Sequence, residues 1–175
     1  GNLVTSGIVT TAGQVTGTTS VDGGAVVVNG TTGGALELVG ATTVNTGSFT
    51  LTAGDVAALI NNAASDGTAD ITVTAGNVAS LTNTSGDAVL NGGTVAGTTT
   101  VTAGTVTNNG ATLTGAATVN GGTFTQTAGA ANGGIANNGG TVGLNGGTAA
   151  SLAANAGTST VTAGQVTGTT SVDGG

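Results

Sequence analysis

Apolar and polar residues alternate along this chain in short runs. In Thr123-Phe124-Thr125-Gln126-Thr127 and Thr105-Val106-Thr107 the threonines fall on one side of an extended strand, with Phe124 and Val106 on the other. Between such runs stand Asp22-Gly23, Asn29-Gly30, Asp66-Gly67, Asn91-Gly92, Asn109-Gly110, Asn120-Gly121, Asn132-Gly133, Asn138-Gly139, Asn145-Gly146 and Asp173-Gly174. Asn-Gly and Asp-Gly take positive φ at low cost and mark tight reversals. The pattern predicts many strands of about four to seven residues. One stretch departs from it: Asp55-Val56-Ala57-Ala58-Leu59-Ile60-Asn61-Asn62-Ala63-Ala64 joins a candidate N-cap, Asp55, to good helix formers, and predicts a short helical turn or corner decoration.

The runs also repeat. Thr11 to Gly24 recurs letter for letter at Thr162 to Gly175, a separation of 162 − 11 = 151 residues. Ala79-Ser80-Leu81, with the run from Leu90 to Val101, matches Ala150-Ser151-Leu152 and the run from Val161 to Val172 at a shift of 152 − 81 = 71. Val15–Val21 maps onto Val95–Val101 at 95 − 15 = 80. After a five-residue slip near Thr31 to Ala35, Val44–Gly54 maps onto Val119–Gly129 at 119 − 44 = 75, which places both Phe residues at one module position. The organisation read from these shifts is the end of a preceding repeat (1–10), one module over 11–90, a second over 91–161 and the start of a third over 162–175. Beneath the modules, Thr100–Val106, Thr118–Phe124 and Ala136–Val142 follow one another at a spacing of 118 − 100 = 18.

Units this short cannot close a core alone and bury their apolar faces by stacking. The expected fold is therefore all-β, a parallel β-solenoid (β-helix) with coils of about 18–24 residues in modules of about 71–80. Tandem β-sandwich modules are the alternative. A sandwich wants about seven strands in roughly 100 residues and has no reason for an internal 18-residue period, so spacing favours the solenoid.

Composition narrows the core. There are two Phe and no Trp, Tyr, Met, Pro or Cys, so Val, Ala, Thr, Leu and Ile must pack in thin layers. The 36 Gly suggest disorder on their own, but charged residues make up 4% and overall hydropathy is positive, opposite to the disordered signature. No apolar run approaches the roughly 18 residues that span a bilayer. The chain begins at Gly1 with no Met or charged, apolar leader, the expectation being a processed product or an excerpt.

Charge removes whole classes of function. Lys, Arg and His are absent, and the carboxylates Asp22, Glu37, Asp55, Asp66, Asp70, Asp87 and Asp173 stand without cationic partners. Nucleic acid and anionic lipid are excluded as partners, since both are held by cationic side chains. A trypsin-like protease has no cleavage site, which suits exposure outside a cell. With no His, Lys, Cys or Tyr, no Ser or Thr has its usual activating base, and a carboxylate pair for sugar cleavage would lack cationic or aromatic sugar-binding groups. The chain reads as a non-enzyme.

Runs such as Val-Asn-Gly-Gly-Thr-Phe-Thr-Gln-Thr-Ala-Gly (Val119–Gly129), in a chain dominated by Gly, Asn, Thr and Val, resemble bacterial surface β-solenoids. Those are autotransporter passenger domains, filamentous-haemagglutinin-type adhesins, and the Thr/Ala/Gly-rich parts of calcium-dependent S-layer proteins. The resemblance covers nearly the whole chain and implies display at the cell surface, with adhesion or coat formation. The expected function is a structural extracellular shaft, stalk or filament that associates with itself end to end, with a cell-surface glycan or receptor as a further partner. An S-layer-type coat protein is the alternative, and a glycan- or ice-binding module a more distant one.

No cofactor is required by the sequence, and calcium is the one metal weighed. The Gly-Gly-x-Gly-x-Asp nonapeptide is absent, and the candidate ligands are Asp66 and Asp70, four residues apart in a loop. Two carboxylates fall short of the about six to eight oxygens that Ca²⁺ takes, so solvated turn residues are the favoured reading. Asn29-Gly30-Thr31 and Asn83-Thr84-Ser85 match the glycan acceptor pattern. Ice binding needs a regular threonine array, and Thr72/Thr74, Thr105/Thr107, Thr112/Thr114 and Thr123/Thr125/Thr127 do not recur at one constant spacing. Ordinary β-strand chemistry accounts for them.

Overall fold

The computed structural model describes residues 1–5 and 7–174. Among these residues there is no helix, and the eighteen strands pair only in parallel. The chain is a parallel β-solenoid of about nine turns, and tandem sandwiches, which are antiparallel, are ruled out.

Each turn crosses three walls, and equivalent residues stack in columns. The first wall opens on Leu3, Thr19, Thr42, Leu59, Leu81, Thr99, Ala117, Ile135, Leu152 and Thr170. The second stacks Val26, Phe49, Ile71, Ala88, Val106, Phe124, Val142 and Ser159. The third stacks Val15, Leu38, Val56, Val78, Val95, Leu113, Ala131, Ala149 and Val166. From Leu81 onward a turn takes 17 or 18 residues, the expected small period. Two turns are longer: Thr19 to Thr42 (42 − 19 = 23) carries an outward loop over residues 30–37, and Leu59 to Leu81 (81 − 59 = 22) carries one over 62–70. The five-residue slip in the sequence lies in the first of these, at a corner where insertion leaves the walls undisturbed.

Alternation places five side chains per turn in the interior. One turn contributes Ala117, Val119, Phe124, Gln126 and Ala131, all fully buried, with two Ala making room for the one Phe. Phe49 and Phe124 lie in the same column. The helix expected over 55–64 does not form. Asp55–Asn61 is a strand paired with Asn77–Asn83. Val56 and Leu59 are buried on two successive walls, and this tertiary burial overrides the helix propensity of Ala57 and Ala58. Asp55 caps no helix, and its Oδ1 accepts from Asn77 Nδ2 at 2.7 Å.

Corners raise the problem of carbonyls and amides with no partner inside one turn. Inward amide side chains solve it. Asn137 is fully buried; its Nδ2 donates to Gly140 O (3.1 Å), Thr158 O (2.9 Å) and Ser159 Oγ (3.0 Å), while its Oδ1 accepts from Gly139 N and Gly140 N. Asn108 does the same for Gly110 N, Ala111 N and Ala111 O. Glycine makes the bend itself: Gly122 has φ +62°, and a Cβ there would stand 2.5 Å from Gly104 O in the turn below.

Gly122→Ala therefore combines left-handed strain of roughly 1–2 kcal/mol with a collision against rigid backbone. Gly67→Ala, at φ +85° with no atom within 4 Å of the added Cβ, incurs the strain alone. Urea unfolding is expected to show the Gly122 variant as clearly the less stable of the two. The opposite change follows from Thr19, Thr42 and Thr99, whose buried hydroxyls have no hydrogen-bond partner among the described residues. Thr99→Val keeps the shape and removes an unpaired polar atom, and is expected to raise the unfolding free energy by about 1 kcal/mol, read from the shift of the urea midpoint.

Candidate functional site

Ionisable groups are segregated along the rod. Asp22, Glu37, Asp55, Asp66, Asp70 and Asp87 lie in the first half, whereas from Ala88 to Val172 no residue has an ionisable side chain. Both insertion loops sit in the acidic half. Four of the acids are buried, Glu37, Asp55, Asp70 and Asp87, each less than a tenth exposed.

The loop over 30–37 folds back so that Glu37 enters the wall. Its Oε1 accepts from Thr31 N (3.1 Å) and its Oε2 from Asp55 N (2.6 Å). Beside it, Ala12, Gly13, Gln14, Thr31, Leu36 and Glu37 line a surface groove of about 260 Å³, bridged by a hydrogen bond from Gln14 Nε2 to Leu36 O. The loop over 62–70 wraps around Asp87, whose Oδ1 accepts from Ser65 Oγ (2.9 Å) and Oδ2 from Gly67 N (2.8 Å). Asp70 Oδ2 accepts from Asp87 N (2.8 Å) and Asn61 Nδ2 (3.4 Å).

The two calcium candidates sit differently within this loop. Asp70 is buried and hydrogen-bonded as above, while Asp66 is exposed and accepts from Thr68 N within its own turn (2.8 Å). Among the described residues no group of three or more acidic, His or Cys side chains is gathered as for a metal ion. The chemistry displayed is that of acids whose oxygens accept from N–H and O–H donors, which fixes the loops to the coil.

Of the glycan acceptor patterns, Asn29 is exposed at the end of its strand. Asn83 is fully buried, with Nδ2 on Gly86 O (3.0 Å) and Ala103 O (2.8 Å), so a glycan there is incompatible with the fold.

Sequence reasoning missed the exposed amide ladders. Along one corner Asn45 Nδ2 donates to Asp22 Oδ1 (2.7 Å), Asn62 Nδ2 to Asn45 Oδ1 (3.5 Å), Asn138 Nδ2 to Asn120 Oδ1 (2.9 Å) and Asn155 Nδ2 to Asn138 Oδ1 (2.8 Å). Along another corner Asn109 Nδ2 donates to Asn91 Oδ1 (3.1 Å), and Thr127 Oγ1 to Asn109 Oδ1 (2.7 Å). The signal was the recurrence of Asn at 62 − 45 = 17, 138 − 120 = 18 and 155 − 138 = 17 residues, one coil apart each time.

Comparison with protein-family models, with curated proteins and with solved structures yields no match. Among the described residues no helix is long and apolar enough to cross a membrane.

Hydrogen bonds from Asn45 Nδ2 and Ser20 Oγ hold the Asp22 carboxyl below its ordinary 3.8. The folded state thus favours the charged form. This contribution to stability is present above 3.8 and is lost as falling pH protonates the group. Asp22→Asn removes that dependence, so its melting temperature is expected to fall slightly less than the native chain's on titration from about pH 5 to about pH 2. The difference will be small, because the site is exposed.

Proposed function

We propose that this chain is a stretch of structural shaft, a repetitive rod displayed on a microbial cell surface, and that it performs no catalysis. The observation that carries the reading is the relation between repeat and coil. Val15 and Val166 occupy one column and Thr19–Val21 and Thr170–Val172 another, so the 151-residue repeat spans eight whole turns. A sequence that repeats by whole turns extends a rod without changing its geometry. Surface display is supported by the lack of cationic residues for trypsin-like cleavage and by the family texture of the repeats.

The reading includes end-to-end association. Solenoid ends are open edges that invite pairing. A further turn stacked on Thr170–Val172, of this chain or of another, would cover Val161 and Val172, which stand in interior columns. The matching coil at residues 19–21 is covered by Thr42–Val44 on one side and Leu3–Thr5 on the other.

Electron microscopy of the native material is expected to show unbranched rods with strands across the axis, lengthening by about 38 Å per 151-residue repeat at about 4.8 Å per turn. Antibody against the chain is expected to label unpermeabilised source cells. Compact beads on flexible links, or label confined to the cell interior, would overturn the reading. A chain that stays monomeric at high concentration in small-angle scattering would remove its end-to-end part.

A further inference from the structure

We propose that the second wall of the uncharged half binds a crystalline water surface through a rigid threonine array, a function independent of whether the rod also serves as a shaft. The irregular spacing of Thr-x-Thr runs in the sequence argued against such an array, and the coil geometry corrects that expectation. Thr112 and Thr114 lie on the third wall, and Thr127 turns at a corner to donate to Asn109. Removing them leaves a regular set. Thr105 pairs with Thr123 and Thr107 with Thr125; Thr141 pairs with Thr123, and Thr158 with Thr141; Thr160 lies across from Gly143, which lies across from Thr125. Two columns over four successive turns thus hold seven threonines and one glycine. Rows stand about 4.8 Å apart, and the two columns about 6.6 Å apart along each strand.

Three features separate this patch from ordinary strand threonines. First, the patch is two columns wide, whereas the first wall stacks Thr82, Thr100 and Thr118 in one column only; its seven hydroxyls make no hydrogen bond to another described residue, unlike the corner hydroxyls of Thr52, Thr127 and Thr167. Second, the array is rigid. β-Branched side chains are stiff at χ1, and the wall beneath is packed on Val106, Phe124 and Val142, all fully buried. Third, the face is without charge for its whole length, since no ionisable residue occurs between Ala88 and Val172.

Those features select the occupant. An ion or a charged polymer finds no counter-charge here. A neutral polysaccharide usually takes part of its affinity from aromatic stacking, and both Phe are buried. An ice surface is a neutral, regular lattice of water oxygens. A flat array of unsatisfied hydroxyls and methyls, fixed in two dimensions, can order water over several lattice repeats at once with no conformational entropy left to lose. Binding ends where the array ends: the next turn presents Asp87 and Val89, and the loop over 62–70 is bonded onto Asp87.

The test is ice-affinity partitioning of the full chain, together with ice-recrystallisation inhibition. The comparison is a Thr107→Lys, Thr125→Lys double variant on the array against Thr82→Lys, Thr100→Lys on the first wall, which adds equal charge to paired, half-buried threonines elsewhere. Circular dichroism melting establishes that each variant is folded. Thr160→Lys, in an exposed row, serves where the double variant is not. The native chain and the first-wall variant are expected to enrich several-fold in the ice fraction over a size-matched inert protein, and the array variants to fall to its level. Absence of enrichment in the native chain would overturn the proposal, as would equal loss in variants of both walls. Retention on cellulose or chitin without enrichment in ice would replace the crystalline water surface with a neutral polysaccharide.

Discussion

Everything in this fold depends on the backbone hydrogen bonds that run from each turn to the next. Leu81 N donates to Thr98 O, Thr99 N to Ala116 O, and Ala117 N to Gly134 O, so the same bond recurs turn after turn. A parallel strand must meet its neighbour in register. The chain therefore returns to the same column after each circuit, and a residue's surroundings are set by its place in the circuit. Column membership explains why Thr, an ordinary strand residue, is orphaned inside at Thr99 yet faces solvent at Thr105. It also explains why extra residues gather at corners, where a loop over 30–37 or 62–70 bulges outward without moving the ladder. The burden falls on the bends, which glycine makes sterically passable and inward asparagine saturates with hydrogen bonds.

A chain without Lys, Arg or His must hold its buried acids by other means. Burying a carboxylate is costly unless its oxygens find donors. Here the donors are backbone N–H groups, asparagine amides and one serine hydroxyl. The shortest of these contacts is that of Asp55 N with Glu37 Oε2, at 2.6 Å. The acids thereby tie the two insertion loops to the walls. The absence of ionisable side chains from Ala88 to Val172 leaves that stretch of the rod with a surface of hydroxyls, amides and methyls, little altered by pH or salt.

Much of the fold was legible because the 18-residue spacing of Thr100–Val106, Thr118–Phe124 and Ala136–Val142 is one circuit of the coil, and alternation marks its walls. The stretch from Asp55 to Ala64 was misread because local propensity speaks for helix. Only the stacking partners Leu38, Leu81 and Val78 reveal that Val56 and Leu59 belong to walls. The inward asparagines were hidden for a related reason. Asn137 and Asn138 are adjacent in sequence and opposite in role, one fully buried and bracing a bend, the other exposed in a ladder. Asp66 and Asp70, weighed as calcium ligands for their proximity along the chain, stand one exposed and one buried in the loop over 62–70. The threonine array was discounted because sequence spacing mixes residues of two walls and a corner, and only the register sorts them.

The whole-turn repeat carries a mechanical consequence. Individual turns vary from 17 to 23 residues between Thr19 and Thr170, yet eight of them sum to the sequence period, and Thr19 and Thr170 begin the same wall. Variation in turn length is absorbed in corner loops, so it alters decoration and leaves the rise per turn unchanged. A repeat that ended part-way round a circuit would rotate each successive set of loops and faces about the axis. A whole-number repeat keeps them in line, with acidic loops above acidic loops and the threonine wall above itself. A rod that repeated in this way would return each patch to the same side once every eight turns, with threonine stretches and acidic loops alternating along its length.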